Sequence, residues 1–220
     1  MGGLLALASE QAAATWSVAA VDPLTGDRGV AVASCVPDGV YEIFSVRPKG
    51  VVIAQAFFVG RNLDRAVKLL DRGVPPETII ARVTDPAFDP GLADRQYGVV
   101  SRSGDARVFT GAAANPWAGG RTARGVAVQG NFLTGPGVVD RTFSVYRSAA
   151  SAPMHRRLLR ALRAGERAGG DARCGAKRAT SAALTAYVGG RFYFASATTP
   201  DRNAIPVLAG RLKARRLAPR

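Results

Sequence analysis

The chain has 220 residues, 47% of them hydrophobic, and a formal charge of +14 at pH 7. This is enough apolar material for one substantial core, so a single domain is expected, and no apolar run reaches the length of a membrane-crossing helix. Only four lysines occur (Lys49, Lys68, Lys177, Lys213), so the charge is nearly all arginine; beside abundant Ala and Gly that reflects a GC-rich genome, and without a recognisable motif it argues against nucleic-acid binding.

Residues 1–14 hold a short apolar run, Leu4-Leu5-Ala6-Leu7-Ala8, and then Ala12-Ala13-Ala14. Small residues of this kind precede a signal-peptidase cut, although Glu10 interrupts the segment and no basic residue stands in front. The segment is either a signal-peptide remnant, which implies a secreted or envelope protein, or a plain extension of a cytoplasmic one. Residues 15–21 alternate and are rich in β-branched and aromatic side chains, 22–27 carry Pro-and-Gly turn chemistry, and 28–33 return as an apolar strand. A turn at 35–39 and a strand at 40–46 follow. Residues 51–59 form a continuous apolar run, expected as a strand buried on both faces, with Gln55 its only polar side chain.

The period then changes. Leu63, Ala66, Val67 and Leu70 fall at helical spacing, which predicts a helix over 62–71 ending before Gly73, and Pro76 opens a second helix to Val83. A loop at 85–94 leads to a hairpin of 96–101 and 106–111. Residues 112–120 read as loop, and 125–130 as a strand running into Gln129-Gly130-Asn131. Helices are predicted over 138–149 and 154–168. The second sets Arg156, Arg160, Arg163 and Arg167 opposite its apolar stripe, a solvated face. A glycine-rich loop at 169–175 precedes a last hairpin, 181–188 with 191–197. The domain is expected to span 15–200 and 201–220 to be a basic tail. Hairpins with helices inserted in pairs fit an α+β sandwich better than a wound parallel sheet.

Four stretches, residues 15–26, 29–35, 125–135 and 168–183, resemble the DUF1028 family in order and spacing. That family is placed in the N-terminal-nucleophile (Ntn) hydrolase superfamily. The resemblance therefore implies a four-layer αββα sandwich, two mainly antiparallel sheets flanked by helices, with the residue matching Thr15 first in the mature chain. The weak signal peptide and the basic tail depart from the pattern. If the chain is exported, a disulfide can join Cys35 to Cys174, on loops that the resemblance brings to one end of the sandwich. Such a long closed loop is worth on the order of 4 kcal/mol. Two buried free thiols, or a nucleophilic Cys35, are the other readings.

An N-terminal Thr can serve as nucleophile and supply its own base, because an α-amine has a reference pKa of about 8. Thr15 is accordingly the candidate nucleophile of an amidohydrolase, with the Asn131 side chain and the Gly130 amide as oxyanion donors. Ser34, Gln55 and Gln129 are candidates for orienting the amine or the substrate. Asp171 and Arg173 either pair in their loop or hold a substrate carboxylate. Each residue also has a plainly structural reading: a strand-initiating Thr, a turn amide, a satisfied core polar group. His155 is the only histidine, so neither a Ser-His-Asp triad nor a zinc site is expected, and no cofactor is implied. The expected partner is a small-molecule or peptide-like amide, and a homo-oligomer remains open. The rival reading is a catalytically silent scaffold that binds an anionic envelope polymer through its arginines.

Overall fold

Strand β1 (Thr15–Val21) organises the larger of two sheets. It pairs antiparallel with β2 (Arg28–Ser34) on one side and β8 (Val126–Asn131) on the other. Strands β7 (Gly119–Ala123), β9 (Ser181–Val188) and β10 (Arg191–Thr198) complete the order β10-β9-β2-β1-β8-β7. The smaller sheet is β3 (Phe44–Arg47), β4 (Gly50–Ala56), β5 (Arg95–Ser101) and β6 (Ala106–Thr110), in that order and also antiparallel. This computed structural model describes residues 15–36 and 40–214. Residues 1–14, the expected leader or extension, lie outside the described residues, as do 37–39 of the expected turn and 215–220 of the expected tail.

Among the described residues five α-helices cover the sheets. Helices α3 (Gly137–Ser148), α4 (Met154–Arg167) and α5 (Ala204–Ala214) pack on the larger sheet, and α1 (Gly60–Asp71) and α2 (Pro76–Val83) on the smaller. The other face of each sheet meets its counterpart. The alternation of β1 explains the arrangement. Trp16, Val18 and Ala20 enter a core with Leu158 and Leu162 of α4, where the Trp16 indole also donates to the Leu162 carbonyl at 3.3 Å. Ala19 and Val21 point the opposite way and join Val30, Val51, Ile53, Val100 and Ala127 between the sheets. A third core sets Leu63, Ala66, Leu70, Ile79 and Val83 against Val52, Ala54, Tyr97 and Val99. The result is a mixed α+β fold with two antiparallel sheets: the sequence pattern suggested the α+β class and the family resemblance the two sheets.

The departures from that pattern are local. The strand expected at 40–46 is reduced to β3, because Val40 and Ile43 turn inward while Tyr41 lies in solvent. The apolar run 51–59 leaves the sheet at Ala56, whose φ of 71° swings the chain into α1. Strand β7 was hidden because its GlyGlyArgThrAla sequence is that of an exposed edge. Residues 204–214, within the stretch expected as tail, form α5. Its Ala204, Ile205 and Leu208 are fully buried in the core that contains Trp16.

The smaller sheet also carries a buried ion pair that sequence spacing does not announce. Arg95 Nε donates to Asp89 at 3.1 Å, and the carboxylate is 2% exposed. Asn62 donates to both Asp89 and the Tyr97 hydroxyl at 2.6 Å. Burial alone would raise the Asp89 carboxyl, but the hydrogen bond and charge of Arg95, with donors from Asn62 and Gly91, outweigh it and hold the group below its ordinary range. Burial pushes the Tyr97 phenol up to about 12, so it stays a neutral hydroxyl. Arg95→Met is expected to cost about 3 kcal/mol in urea unfolding, because it strands a buried carboxylate. The depressed Asp89 value also sets the sign of a pH effect. Its stabilisation is present above the ordinary carboxylate value of about 3.9 and is lost as pH falls through the lower folded value. Asp89→Asn protein should lack that step in an acid titration.

Candidate functional site

Thr15, Ser34 and Asn131 come together because β2, β1 and β8 reach the same edge in register, with Thr15 opposite Ser34 on one side and Asn131 on the other. All three are buried. The Thr15 hydroxyl donates to Ser34 Oγ at 3.4 Å, and Ser34 Oγ also accepts the Val36 amide at 3.1 Å. By strand alternation Thr15, Ser17, Ser34, Gln129 and Asn131 face the other sheet, which answers with Gln55 and Gln96 opposite each other on β4 and β5. Elsewhere the buried hydrophobic cluster between the sheets is made of Ala, Val and Ile. Its polar end is therefore a distinct feature of the molecule.

The backbone dictates how these amides are turned. The carbonyls of Gly130 and Gly119 can only accept, so Gln96 presents Nε2 to them, at 2.9 and 3.3 Å. Gln96 Oε1 then accepts from Gln55 Nε2 at 2.8 Å and from Asn131 Nδ2 at 3.1 Å. Gln55 Nε2 also donates to the Thr15 carbonyl at 3.1 Å, while its Oε1 accepts the Ser17 hydroxyl at 2.6 Å. This amide chain ties the start of β1 to the opposite sheet. Both polar atoms of Gln129 and the Oδ1 of Asn131 are buried without a hydrogen-bond partner. Each such group costs about 1–3 kcal/mol, so three together are a marked expense for the fold alone. Gly98 makes room for one of them, since a Cβ there would stand 2.5 Å from Gln129 Oε1. Gly130 lies in the ladder between Trp16 of β1 and Gly119 of β7, where a Cβ would meet Leu133 at 2.5 Å.

The glycine-rich loop closes the same edge. Asp171 is fully buried and accepts the Cys35 amide at 2.9 Å and the Arg173 amide at 3.0 Å. It also pairs with the Arg173 guanidinium at 3.2 Å, and that guanidinium lies 5.0 Å from the Phe132 ring centre. Asp171 and Arg173 thus pair within their loop, with the Arg173 side chain still partly exposed. Cys35 and Cys174 form a disulfide with a Cα–Cα distance of 5.7 Å, which sets aside the free-thiol readings, including a nucleophilic Cys35. Beside it a cavity of ≈ 220 Å³ is lined by Cys35, Arg173, Cys174, Lys177 and Thr180. Thr180 donates its amide to the Ser34 carbonyl at 2.9 Å, which places the cavity next to Ser34.

Strain gathers here too. Three non-glycine residues have positive φ among the described residues: Ala56, Phe132 and Arg178. Two of them directly follow Gln55 and Asn131. Such conformations cost about 1–3 kcal/mol each and concentrate where a site needs them. Ser17, Gln96, Thr180 and Ser181 belong to this edge but are not singled out by the sequence. The signal for Gln96 and Ser17 was a polar residue at a core-facing position of an apolar strand. Among the described residues no three His, Cys, Asp or Glu side chains converge as a metal-binding set, and no helix is long and apolar enough to cross a membrane.

No curated protein matches the chain. The crystal structure of protein SPO2555 from Silicibacter pomeroyi, assigned to DUF1028, is similar at 25% sequence identity with a TM-score of 0.82, over 93% of this chain and 90% of that one. A model described as a family of unknown function (DUF1028) matches residues 15–201, beginning at Thr15 itself. With most of its length so matched, the chain belongs to the DUF1028 family.

Proposed function

We propose that the protein is an Ntn-type amidohydrolase whose nucleophile is Thr15, exposed as a free N-terminus by removal of residues 1–14. The reading rests on one observation. Thr15, the first residue of the central strand and of the family match, stands between Ser34 and Asn131 at the polar end of an otherwise apolar layer between the sheets. Helices packed outside two facing sheets agree with the four-layer αββα architecture of that superfamily.

In this mechanism the free Thr15 amine takes the hydroxyl proton, directly or through water, and Oγ1 attacks the amide carbonyl. Asn131 Nδ2 gives one hydrogen to Gln96 and keeps the other for the oxyanion of the tetrahedral intermediate. The protonated amine passes its proton to the departing nitrogen as the C–N bond breaks. Water, deprotonated by the same amine, then hydrolyses the Thr15 ester and regenerates the hydroxyl. Ser34 orients the nucleophile through its contact with Oγ1, and Gln55 fixes the Thr15 carbonyl. The unpartnered Gln129 amide and Asn131 Oδ1 are the groups left for substrate. Gly130 contributes close packing, and Arg173 borders the adjacent cavity, where a substrate carboxylate would meet it. Export of the processed chain agrees with the Cys35–Cys174 disulfide.

The test compares chains that begin at Thr15 with chains that retain residues 1–14, screened on a panel of chromogenic amides, alongside the intact mass of protein from its native host. Hydrolysis confined to the chain beginning at Thr15, and a native mass that matches it, are expected. Equal turnover by both chains, or a native chain still carrying 1–14, overturns the reading, because an acylated nitrogen is no base.

A further inference from the structure

A second polar feature lies on the outer side of the smaller sheet, away from the amide cluster. Helices α1 and α2 border a cavity of ≈ 420 Å³ where five cations, Arg61, Arg65, Lys68, Arg72 and Arg82, meet a single carboxylate, Asp64, over Leu69. The side-chain ion pairs of the described residues all lie elsewhere, and neither Asp64 nor any of the five cations takes part in one. Asp64 is thus the one acid lining the cavity, and no close ion pair among the described residues neutralises the five cations.

Helix stability does not account for the arrangement. Lys68 and Arg72, at the C-terminal end of α1, suit the helix macrodipole, but Arg61 lies in the first turn, where no acid accompanies it and the macrodipole opposes a cation. Arg61 and Arg65 are instead held by Phe88. Their guanidinium carbons stand 5.7 and 4.0 Å from the centre of its ring, and Arg61 Nη2 donates to the Phe88 carbonyl at 3.5 Å. Helix α4 offers an internal comparison. Arg156, Arg160, Arg163 and Arg167 are exposed along one open face, as a solvated stripe should be. On α1 and α2 the cations instead come from two helices and converge on one hollow.

We infer that the α1–α2 cavity is a binding site for a compact ligand bearing two or more adjacent phosphates. A single carboxylate would neutralise one of the five charges, whereas an oligophosphate presents several closely spaced negative oxygens. Guanidinium forks match these oxygens in geometry as well as in charge. The stacking on Phe88 holds two of those forks in place before binding. The site uses neither Thr15 nor amide turnover, so it stands or falls apart from the hydrolase reading.

Calorimetric titration of the full chain with sodium tripolyphosphate tests the inference in three proteins: wild type, Arg72→Ser/Arg82→Ser, and Arg160→Ser/Arg163→Ser. The two variants lose the same net charge. Saturable binding of one tripolyphosphate per chain is expected for wild type, weakened about tenfold or more in the cavity variant and within about twofold in the α4 variant. Orthophosphate should bind much more weakly than tripolyphosphate, and Thr15→Ala protein should match wild type. Equal weakening in both variants would assign the effect to net charge and overturn the site. So would the absence of saturable binding, or a cavity variant that binds like wild type.

Discussion

Thr15→Ala is expected to lower amide hydrolysis by the processed chain on the order of 10⁴-fold or more, the scale seen when an enzyme loses its nucleophile. Its effect on folding should be small. The Thr15 hydroxyl donates to Ser34 Oγ at 3.4 Å, a long contact, and the strand pairings of β1 with β2 and β8 run through the backbone. Losing that contact costs about 1 kcal/mol, or roughly 2–4 °C in melting temperature for a chain of this size. Thr15→Ser separates chemistry from packing, because it keeps the hydroxyl and the amine while dropping the methyl group, and it should retain turnover. The pH profile carries the base. Activity should rise as pH increases through about 8, where the α-amine loses its proton, and then level off. Initial rates on the amide identified by screening, with a melting curve for each variant, check all three points. Wild-type rates in the Ala variant would remove Thr15 from the mechanism.

Loss of the Cys35–Cys174 disulfide has the largest expected effect on stability. It closes a loop across 139 residues of sequence, and by the chain-entropy account this separation raises the worth of the bridge from the roughly 4 kcal/mol expected of a long loop to about 5 kcal/mol. For a chain of this size the melting temperature should fall by roughly 10–20 °C. Scanning calorimetry of Cys35→Ala/Cys174→Ala protein, and of wild type with and without reductant, measures it. The fall should be cooperative, because the bridge joins the end of β2 to the turn after α4 (residues 172–177), where Asp171 also accepts the Cys35 amide. A change of only a degree or two would mean that this hydrogen bond and the β2–β9 ladder already hold the junction once the sulfurs part.

Much of the architecture could be read locally, because it depends on local physics. The alternation of residues 15–21, the Pro-and-Gly turn at 22–27 and the stripes of α1 and α4 each declare an element through neighbours two to four positions apart. Elements that earn their place by packing alone were not legible. Strand β7 lacks an apolar face, and α5 was obscured by basic neighbours although Ile205 and Leu208 are fully buried. The site divides along the same line. Thr15, Ser34, Gln55, Gln129, Asn131, Asp171 and Arg173 were visible as polar residues in apolar strands or in a glycine-rich loop. Sequence alone therefore determined the α+β plan of antiparallel hairpins with helices inserted in pairs, and which polar residues interrupt its apolar strands, whereas the central place of the strand starting at Thr15 came from the structure. Only the tertiary structure decided that Gln96 links the sheets, that Asp171 is fixed by Cys35 and Arg173, and that the cations of α1 converge with Arg82 of α2. Each of these is a contact between segments far apart in the chain, and a pattern of near neighbours carries no information about which distant residues will meet.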